Sequence, residues 1–338
     1  MNARSIAPPR QVGAPNLSVQ AHSVSRALNL IGDRWTLLLL YCLFLGQGRF
    51  SDLLEMTGMA RSVLSKRLRR LEEAGLLRRR RYQQHPPRDE YLLTERGADL
   101  HDVACAVIAW DRRWHYDARS PMHRLRHVGC GREFTPQQRC AACGETIHAR
   151  EVEWRAGPGA GLDPHPGARA HRRSSIAAED IAATQPLMQR SFEILGDRWT
   201  AMTVAAAFYR HRRFGEFQEA LGIASNILSE RLARLVELEV LERGDEARDG
   251  YRLTDQGLDL FPIIVALLRW GDRWLAGRKG PPLLLFHRSC GQPLVPVVGC
   301  DRCGEEVGQG EMRLSGAMRK RLLGDAASAP APAGGRGS

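Results

Sequence analysis

The chain has 338 residues, of which 43% are hydrophobic, and this length suits two domains of ordinary size. A formal net charge of +11 favours a polyanionic partner, with nucleic acid first. No run of 18 apolar residues is present, and residues 1–16 lack the apolar segment of a signal peptide. We therefore expect a cytoplasmic protein without membrane spans, in which disulfides are rare and the eight cysteines need another explanation.

A repeated set of motifs organises the chain. Gly32–Thr36, Arg49–Leu53 and Leu64–Leu68 each recur in closely similar form 164 residues later, without a gap. This period is far too long for a solenoid. We interpret it as a duplicated domain, with two copies in tandem.

The first copy begins with two apolar segments at helical spacing, residues 24–30 and 35–45, which meet at a Gly-Asp-Arg-Trp corner. We expect Trp35 to be buried there. The neighbouring charges favour a turn with a structural ion pair over a catalytic or binding pair.

A short helix over 50–56, a turn with a glycine, and a helix over 61–74 follow in the sequence. Three leucines fall on one face of the second helix, and hydroxyl and basic residues fall on the other. This pattern predicts a helix-turn-helix with an exposed recognition face. A merely solvated charged face is the alternative for an isolated helix, but the preceding helix and the following hairpin disfavour it. The exposed set is Arg61, Ser62, Ser65, Lys66 and Arg69.

A hairpin is predicted next, with strands over 77–82 and 88–93. Arg78–Arg81 put charge on both faces of the first strand, which suits a wing lying along a phosphate backbone. The helix after it carries apolar residues at spacings of 3, 4, 3 and 4, ending in Trp110 and Trp114, and the second copy matches it with Trp270 and Trp274. Two matching seams suggest that the repeats pack on each other.

The Gly-Asp-Arg-Trp-Thr corner, the Arg-Phe-Ser-Asp-Leu helix, the Leu-Ser-x-Arg-Leu recognition helix, Tyr91–Thr94 and the Trp-ended helix together resemble the HxlR-type winged helix-turn-helix regulators. The resemblance covers about residues 20–118 and 185–278. It implies a homodimeric bacterial transcription factor whose recognition helices enter adjacent major grooves. Some members of the family sense electrophiles through a cysteine near the N-terminus, but no cysteine precedes Cys42 here.

A His-x2-Cys-x9-Cys-x2-Cys pattern follows each winged helix, with identical spacing in both copies. Zinc takes four tetrahedral nitrogen or sulfur ligands, so we predict one structural Cys3His site per repeat. A metal-free group of partly buried thiols and a redox switch are the alternatives. Cys42 and Cys105 lie in apolar helical runs and are expected to be inert. The predicted ligands are His127, Cys130, Cys140 and Cys143, and His287, Cys290, Cys300 and Cys303.

These patterns predict a mainly α fold of the α+β class, with two tandem winged helix-turn-helix domains, each followed by a small Cys/His knuckle module. The predicted division is a disordered arm (1–19), winged helix 1 (20–125), module 1 (126–155), a linker (156–184), winged helix 2 (185–280), module 2 (281–318) and a disordered tail (319–338).

The second copy keeps the architecture but loses the positive charge. Residues 60–96 hold eleven Lys or Arg and five Asp or Glu, a balance of +6, whereas the equivalent residues 224–256 hold five and eight, a balance of −3. Lys66 corresponds to Glu230 and Arg69 to Ala233. We expect the first repeat to provide most of the DNA affinity.

The leading hypothesis is a sequence-specific DNA-binding transcriptional regulator that binds double-stranded DNA as a single-chain pseudo-dimer, with further homodimerisation left open. A metal- or redox-responsive sensor and a partner-recruiting protein are the alternatives. The sequence shows no motif typical of an enzyme. The predicted DNA-binding residues are Arg49, Arg61, Ser62, Ser65, Lys66, Arg69, Arg78, Arg80 and Arg88 in the first repeat, and Ser225, Asn226, Ser229 and Arg234 in the second.

Overall fold

A computed structural model of the chain describes residues 23–115, 124–160, 189–244 and 250–314. The predicted arm (1–19), the linker from residue 161 to 184 and the predicted tail (319–338) lie outside the described residues. Within the described ranges, no helix is both long and apolar enough to cross a membrane.

The first repeat is a winged helix followed by short strands. Its elements are α1 (Ser23–Ile31), α2 (Arg34–Phe44), α3 (Phe50–Thr57), α4 (Arg61–Glu73), β1 (Leu77–Gln83), β2 (Arg88–Leu93), α5 (Glu95–Ala98), α6 (His101–Trp114), β3 (Leu125–His127), β4 (Pro136–Cys140) and β5 (Val152–Ala156). The helix-turn-helix is α3 and α4, and the wing is the antiparallel pair β1 and β2. The sequence-based bounds of these elements therefore hold to within a residue.

The second repeat follows the same order. Its elements are α7 (Gln189–Leu195), α8 (Arg198–Phe208), α9 (Phe214–Leu221), α10 (Ser225–Glu237), β6 (Leu241–Arg243), β7 (Tyr251–Leu253), α11 (Asp255–Leu258), α12 (Phe261–Leu275), β8 (Leu283–His287), β9 (Pro296–Cys300) and β10 (Met312–Leu314). The hydrophobic core is continuous through both repeats.

Local sequence signals explain the corner and the helix-turn-helix. Asp33 caps α2, since its carboxylate accepts the backbone N–H of Thr36 at 3.1 Å. Gly58 ends α3 with φ of 64°, a left-handed conformation that glycine adopts without steric cost. Trp35 is buried, with 7% of its surface exposed, as the sequence predicts.

The two repeats contact each other through equivalent residues. The indole N–H of Trp110 donates to the carbonyl of Gln256 at 2.9 Å, and that of Trp270 donates to the carbonyl of Arg96 at 3.0 Å. Trp114 and Trp274 donate in the same reciprocal way to Asp259 and Asp99, at 2.9 and 2.7 Å. These reciprocal bonds give the repeats an approximate two-fold relation.

The helices of this contact approach closely. Helix α1 packs along α12, and a Cβ added to Gly271 of α12 would lie 2.4 Å from the carbonyl oxygen of Ser23. A short antiparallel bridge joins Asp33 to Asp197, which are equivalent residues, so the two-fold axis passes between the two helix-capping corners.

The short strands after the winged helices pair between repeats and not within them. Strand β4 pairs with β9, β3 with β10, and β5 with β8, all antiparallel. At the centre of the first pair, Gln138 faces Val298, its equivalent. The predicted modules 126–155 and 281–318 are therefore one intertwined unit within the described residues. Ala156 belongs to β5, so the described chain stays ordered beyond the predicted start of the linker at residue 156.

Two carboxylates, the buried Asp111 and the half-buried Asp272, lie where the repeats meet. Asp111 of α6 is 3% exposed and accepts the hydroxyl of Ser191, in α7, at 2.6 Å. Burial raises the pKa of Asp111 to about 7. Burial likewise raises the pKa of Asp272 to about 6, beside the hydroxyl of Ser23. Because the folded chain holds these protons more tightly, their contribution to stability is lost as pH rises from about 4 to about 7.

We expect Asp111→Asn to flatten this pH dependence, because asparagine keeps the acceptor for Ser191 but does not ionise. Between pH 5 and pH 8, the free energy of unfolding of the variant should rise relative to wild type by roughly 2 kcal/mol. Urea denaturation at several pH values measures this, with the exposed Glu55→Gln as control. Parallel pH profiles for wild type and Asp111→Asn would contradict the assignment.

Candidate nucleic-acid interface and cysteine clusters

The recognition helix α4 is amphipathic as the sequence predicts. Leu64, Leu68 and Leu71 are at most 1% exposed and face the core. The exposed face carries the five predicted side chains, two hydroxyls and three cations, and all five are exposed to solvent. These residues are Arg61, Ser62, Ser65, Lys66 and Arg69. Side chains of this kind on an exposed second helix can reach base edges and phosphates in a major groove.

Arg67 lies between the two faces of α4 and has a structural role. Its guanidinium forms an ion pair with Asp33, whose carboxylate also caps α2. The structural ion pair expected at the corner is therefore present, but it joins Asp33 to the recognition helix and not to its sequence neighbour. The pair fixes the position of α4 against α2.

The wing arginines are exposed, and three of them are paired with carboxylates. Arg79 donates to both oxygens of Glu72 in α4, at 2.8 and 2.9 Å. Arg80 donates to Glu90 at 2.7 Å, and Arg81 to Asp89 at 2.9 Å. The hydrogen bond from Arg81 holds the pKa of Asp89 below its ordinary value. These pairs join strand to helix and strand to strand, and they were not predicted from the sequence.

Three further predicted arginines lie in or near the wing. Arg78 in β1 and Arg88 in β2 are exposed. Arg49 lies with its guanidinium 4.7 Å from the ring centroid of Tyr82, a cation–π contact that joins the start of α3 to the wing. Exposed arginines thus occur at the start of α3, on α4 and on the wing of the first repeat.

In the second repeat, the predicted residues of α10 divide into two groups. Ser225, Asn226 and Ser229 are exposed beside Glu230. Arg234 instead pairs with Glu193 of α7 and, at 2.8 Å, with Glu237. It occupies the position of Arg70, which donates to the backbone of α1, so Arg234 packs the helix and is a weaker candidate for DNA contact.

Each cysteine motif has two parts, a histidine arm (His-x2-Cys) and a cysteine knuckle (Cys-x2-Cys). The structure brings the histidine arm of one repeat to the cysteine knuckle of the other. The ligand atoms within each group lie within 4.8 Å of one another, as a metal requires. Cluster A is His127, Cys130, Cys300 and Cys303, and cluster B is Cys140, Cys143, His287 and Cys290. All eight predicted residues are used, but the predicted grouping of one site per repeat is wrong.

The strand β4 explains the exchange. It runs extended from Pro136 to Cys140, a length of about 13 Å at about 3.3 Å per residue, so the knuckle of the first repeat begins at the far end of this strand. The antiparallel register sets Pro136 opposite Cys300, so the knuckle of the second repeat lies there instead. Identical spacings in the two repeats fit both groupings, so the sequence alone did not separate them.

Backbone hydrogen bonds support thiolates in both histidine arms. The backbone of Arg132 lowers the pKa of Cys130 to about 7, and the backbone of Gln292 does the same for Cys290. By contrast, burial raises the pKa of Cys42 to about 12 and that of Cys105 well above its ordinary value. Both are fully buried and outside the clusters, in keeping with the inert role expected for them.

A helix-turn-helix followed by a two-stranded wing defines the class of winged helix-turn-helix proteins, and the chain holds two of them. A family model described as HxlR-like helix-turn-helix matches residues 30–119 and 194–279. The chain belongs to this family, whose members are DNA-binding transcriptional regulators and not enzymes.

The relatives agree with this assignment, and a solved structure is also similar to part of the chain. An HTH-type transcriptional regulator of Mycobacterium tuberculosis (strain CDC 1551 / Oshkosh) is 44% identical over 122 residues, covering 35% of this chain and 77% of the relative. The regulator YvaP of Bacillus subtilis (strain 168) is 34% identical over 96 residues, 27% of this chain and 88% of YvaP. The redox regulator HypR in its reduced form matches with 32% identity and a TM-score of 0.25, covering 27% of this chain and 90% of HypR.

Two neighbouring cations of α4, Arg67 and Lys66, should differ in their contribution to stability. Arg67→Ala is expected to lower the free energy of unfolding by about 1–3 kcal/mol, because it leaves the Asp33 carboxylate without its charged partner. Lys66→Ala, on the exposed face, should change it by less than about 0.5 kcal/mol. Chemical denaturation of the two variants measures the difference. Equal effects on stability would argue against the structural role of Arg67.

Proposed function

We propose that this chain is a sequence-specific regulator of transcription that binds double-stranded DNA as a single-chain pseudo-dimer, with the first repeat providing most of the affinity. The observation that carries the proposal is the exposed face of α4, where Ser62, Ser65, Lys66 and Arg69 stand clear of the protein beside an arginine-rich wing. The serines, Lys66 and Arg69 serve as base-edge candidates, and Arg49, Arg61, Arg78, Arg80 and Arg88 as phosphate contacts.

The ion pairs of the wing are compatible with phosphate binding. Arg80 and Arg81 are about half exposed in their pairs, and exposed pairs of this kind contribute little to stability. An arginine has five N–H donors, so a carboxylate contact leaves others free for a phosphate oxygen. The pairs hold the guanidinium groups in place before DNA arrives, which lowers the ordering cost of binding.

The second repeat contributes less because its exposed face is not cationic. Glu230 stands where the first repeat has Lys66, and a carboxylate beside phosphate is repulsive unless it accepts a cytosine amine. Ala233 stands in place of Arg69. Ser225, Asn226 and Ser229 retain hydrogen-bonding capacity, so weak or altered base contacts remain available to α10.

The approximate two-fold relation of the repeats supports binding of one chain to one operator. Two recognition helices related in this way fit two half-sites about one helical turn apart, about 34–36 Å. Relatives of about half this length would need two chains to present two recognition helices. A single chain carries both, and the reciprocal tryptophan hydrogen bonds support their pairing.

A second candidate function, regulation by metal or redox state, is favoured by one observation. Both cysteine clusters join the repeats, and one cysteine of each, Cys143 or Cys303, is exposed. Loss of metal or oxidation of these thiols would alter the contact that orients the two winged helices. A mild oxidant should then change DNA affinity while the chain stays folded, whereas a chain with purely structural sites should keep the same affinity.

Exchanging the charges of the two recognition faces tests the asymmetry. Lys66→Glu with Arg69→Ala gives the first repeat the face of the second and should weaken DNA binding at least 100-fold. The reciprocal Glu230→Lys with Ala233→Arg should strengthen it and steepen its salt dependence by about one unit of slope per added cation. Fluorescence anisotropy over a salt series measures both. If the two double variants changed DNA affinity by the same amount in the same direction, the asymmetry would be rejected.

The number of chains per operator tests the pseudo-dimer. Native mass spectrometry of the chain with a duplex selected from its own genome should show one chain per duplex, because both recognition helices are already present. A complex that forms only with two chains would contradict this. If the chain bound the selected duplex and an unrelated duplex with the same affinity and the same salt dependence, the result would indicate nonspecific phosphate binding alone.

A further inference from the structure

We infer that clusters A and B each bind one Zn2+, and that each ion fastens the histidine arm of one repeat to the cysteine knuckle of the other. The donor set points to this metal, because three thiolates and one imidazole are soft ligands that suit tetrahedral zinc. Three thiols lose their protons when the ion binds. Four protein ligands leave no open position, so the role is structural and not catalytic.

The separations of the ligand atoms match a tetrahedron. With Zn–S bonds of about 2.3 Å and a Zn–N bond of about 2.0 Å, neighbouring sulfurs are about 3.8 Å apart, and sulfur and nitrogen about 3.5 Å. The corresponding distances are 4.0 Å for Cys130 Sγ to Cys300 Sγ, 3.4 Å for Cys303 Sγ to His127 Nδ1, 3.9 Å for Cys140 Sγ to Cys290 Sγ, and 3.3 Å for Cys143 Sγ to His287 Nδ1. Two separations in each cluster therefore lie close to those of a zinc tetrahedron, and the other ligand atoms lie within 4.8 Å of one another.

Disulfides do not account for these contacts. A disulfide requires an S–S distance of about 2.05 Å. The sulfurs of Cys130 and Cys300 are 4.0 Å apart, and all eight cysteines of the chain are free. The thiols converge with a histidine nitrogen, which a disulfide would not use.

The backbone supplies an independent observation. All four two-ligand segments form the same turn, in which the N–H of a glycine donates to the carbonyl of the first ligand, and each of these glycines has φ between 67° and 81°. The turn puts both ligands on one side, as in a metal knuckle. These bonds are Gly131 to His127 and Gly291 to His287 at 2.8 Å, Gly144 to Cys140 at 2.8 Å, and Gly304 to Cys300 at 3.0 Å.

The knuckle of the second repeat shows a further feature of thiolate sites. The backbone N–H of Arg302 points at the sulfur of Cys300, 3.4 Å away. A backbone donor of this kind stabilises negative charge on a ligand sulfur and orients it toward the metal. The same knuckle is tied to the first repeat, since Asp301 accepts the backbone N–H of Thr135 at 2.8 Å.

Metal binding and repeat pairing are linked in this arrangement. Neither repeat holds four ligands at one place, so a site is complete only when the strands β4 and β9 are paired. By linkage, an ion that binds the paired state stabilises it over the separated state. The zinc sites thereby set the spacing of the two winged helices, whether or not DNA is bound.

Two double variants of the full chain distinguish this arrangement from one site per repeat. Cys130→Ser with Cys303→Ser removes two ligands from cluster A and spares cluster B. Cys130→Ser with Cys143→Ser removes one ligand from each cluster. Zinc per chain is measured by plasma mass spectrometry after dialysis against a competing chelator, and circular dichroism monitors folding.

The wild-type chain should retain two zinc ions, the first variant one and the second close to none. Sites confined to single repeats would give the opposite order, with none in the first variant and one in the second. A wild-type chain without stoichiometric zinc, or a first variant that retains no more zinc than the second, overturns the inference. Tetrahedral Co2+ absorption, retained in the conservative His127→Cys variant, checks the ligand set separately from DNA binding.

Discussion

The reciprocal packing of the two repeats is the constraint on which the other features depend. Each repeat supplies the carbonyl that accepts the tryptophan N–H of the other, and each supplies strands that lack a partner within their own repeat. The core is continuous across this contact, so the repeats are not two independent domains joined only by a linker. Because α4 and α10 are fixed to the same core, the distance between the two recognition surfaces is a property of the fold.

Each recognition helix, α4 or α10, carries both residues that hold the fold together and exposed residues. In both copies an arginine between the buried and exposed faces pairs with the aspartate that caps the second helix, as Arg67 with Asp33 and Arg231 with Asp197. The latter pair has a distance of 2.7 Å. The two aspartates meet at the two-fold axis. The two recognition helices are therefore tied directly to the centre of the interface between repeats.

Much of this architecture could be predicted from the sequence, because its signals are local. Leucines at spacings of four and three, a glycine after each short helix and a hairpin rich in arginine indicated α3, α4 and the wing to within a residue. What could not be predicted depends on contacts distant in the chain. The spacing of the cysteine motifs is the same in both repeats, so it fits sites within one repeat and sites shared between the repeats equally well. The pairing of Arg234 with Glu193 could not be predicted, because the two residues are 41 positions apart in sequence.

The tandem arrangement gives this chain a freedom that a homodimer lacks. In a homodimer each recognition residue occurs in both half-sites, so a change that suits one half is imposed on the other, and such proteins match palindromes. Here Lys66 and Glu230 occupy equivalent positions, as do Arg69 and Ala233, while the tryptophan contacts that hold the repeats together are kept in both directions. The contacts between the repeats are symmetric, whereas the exposed faces of the two recognition helices differ in charge. Under the proposed function, such a chain would be matched by an operator whose halves differ, with the stronger half under the first repeat.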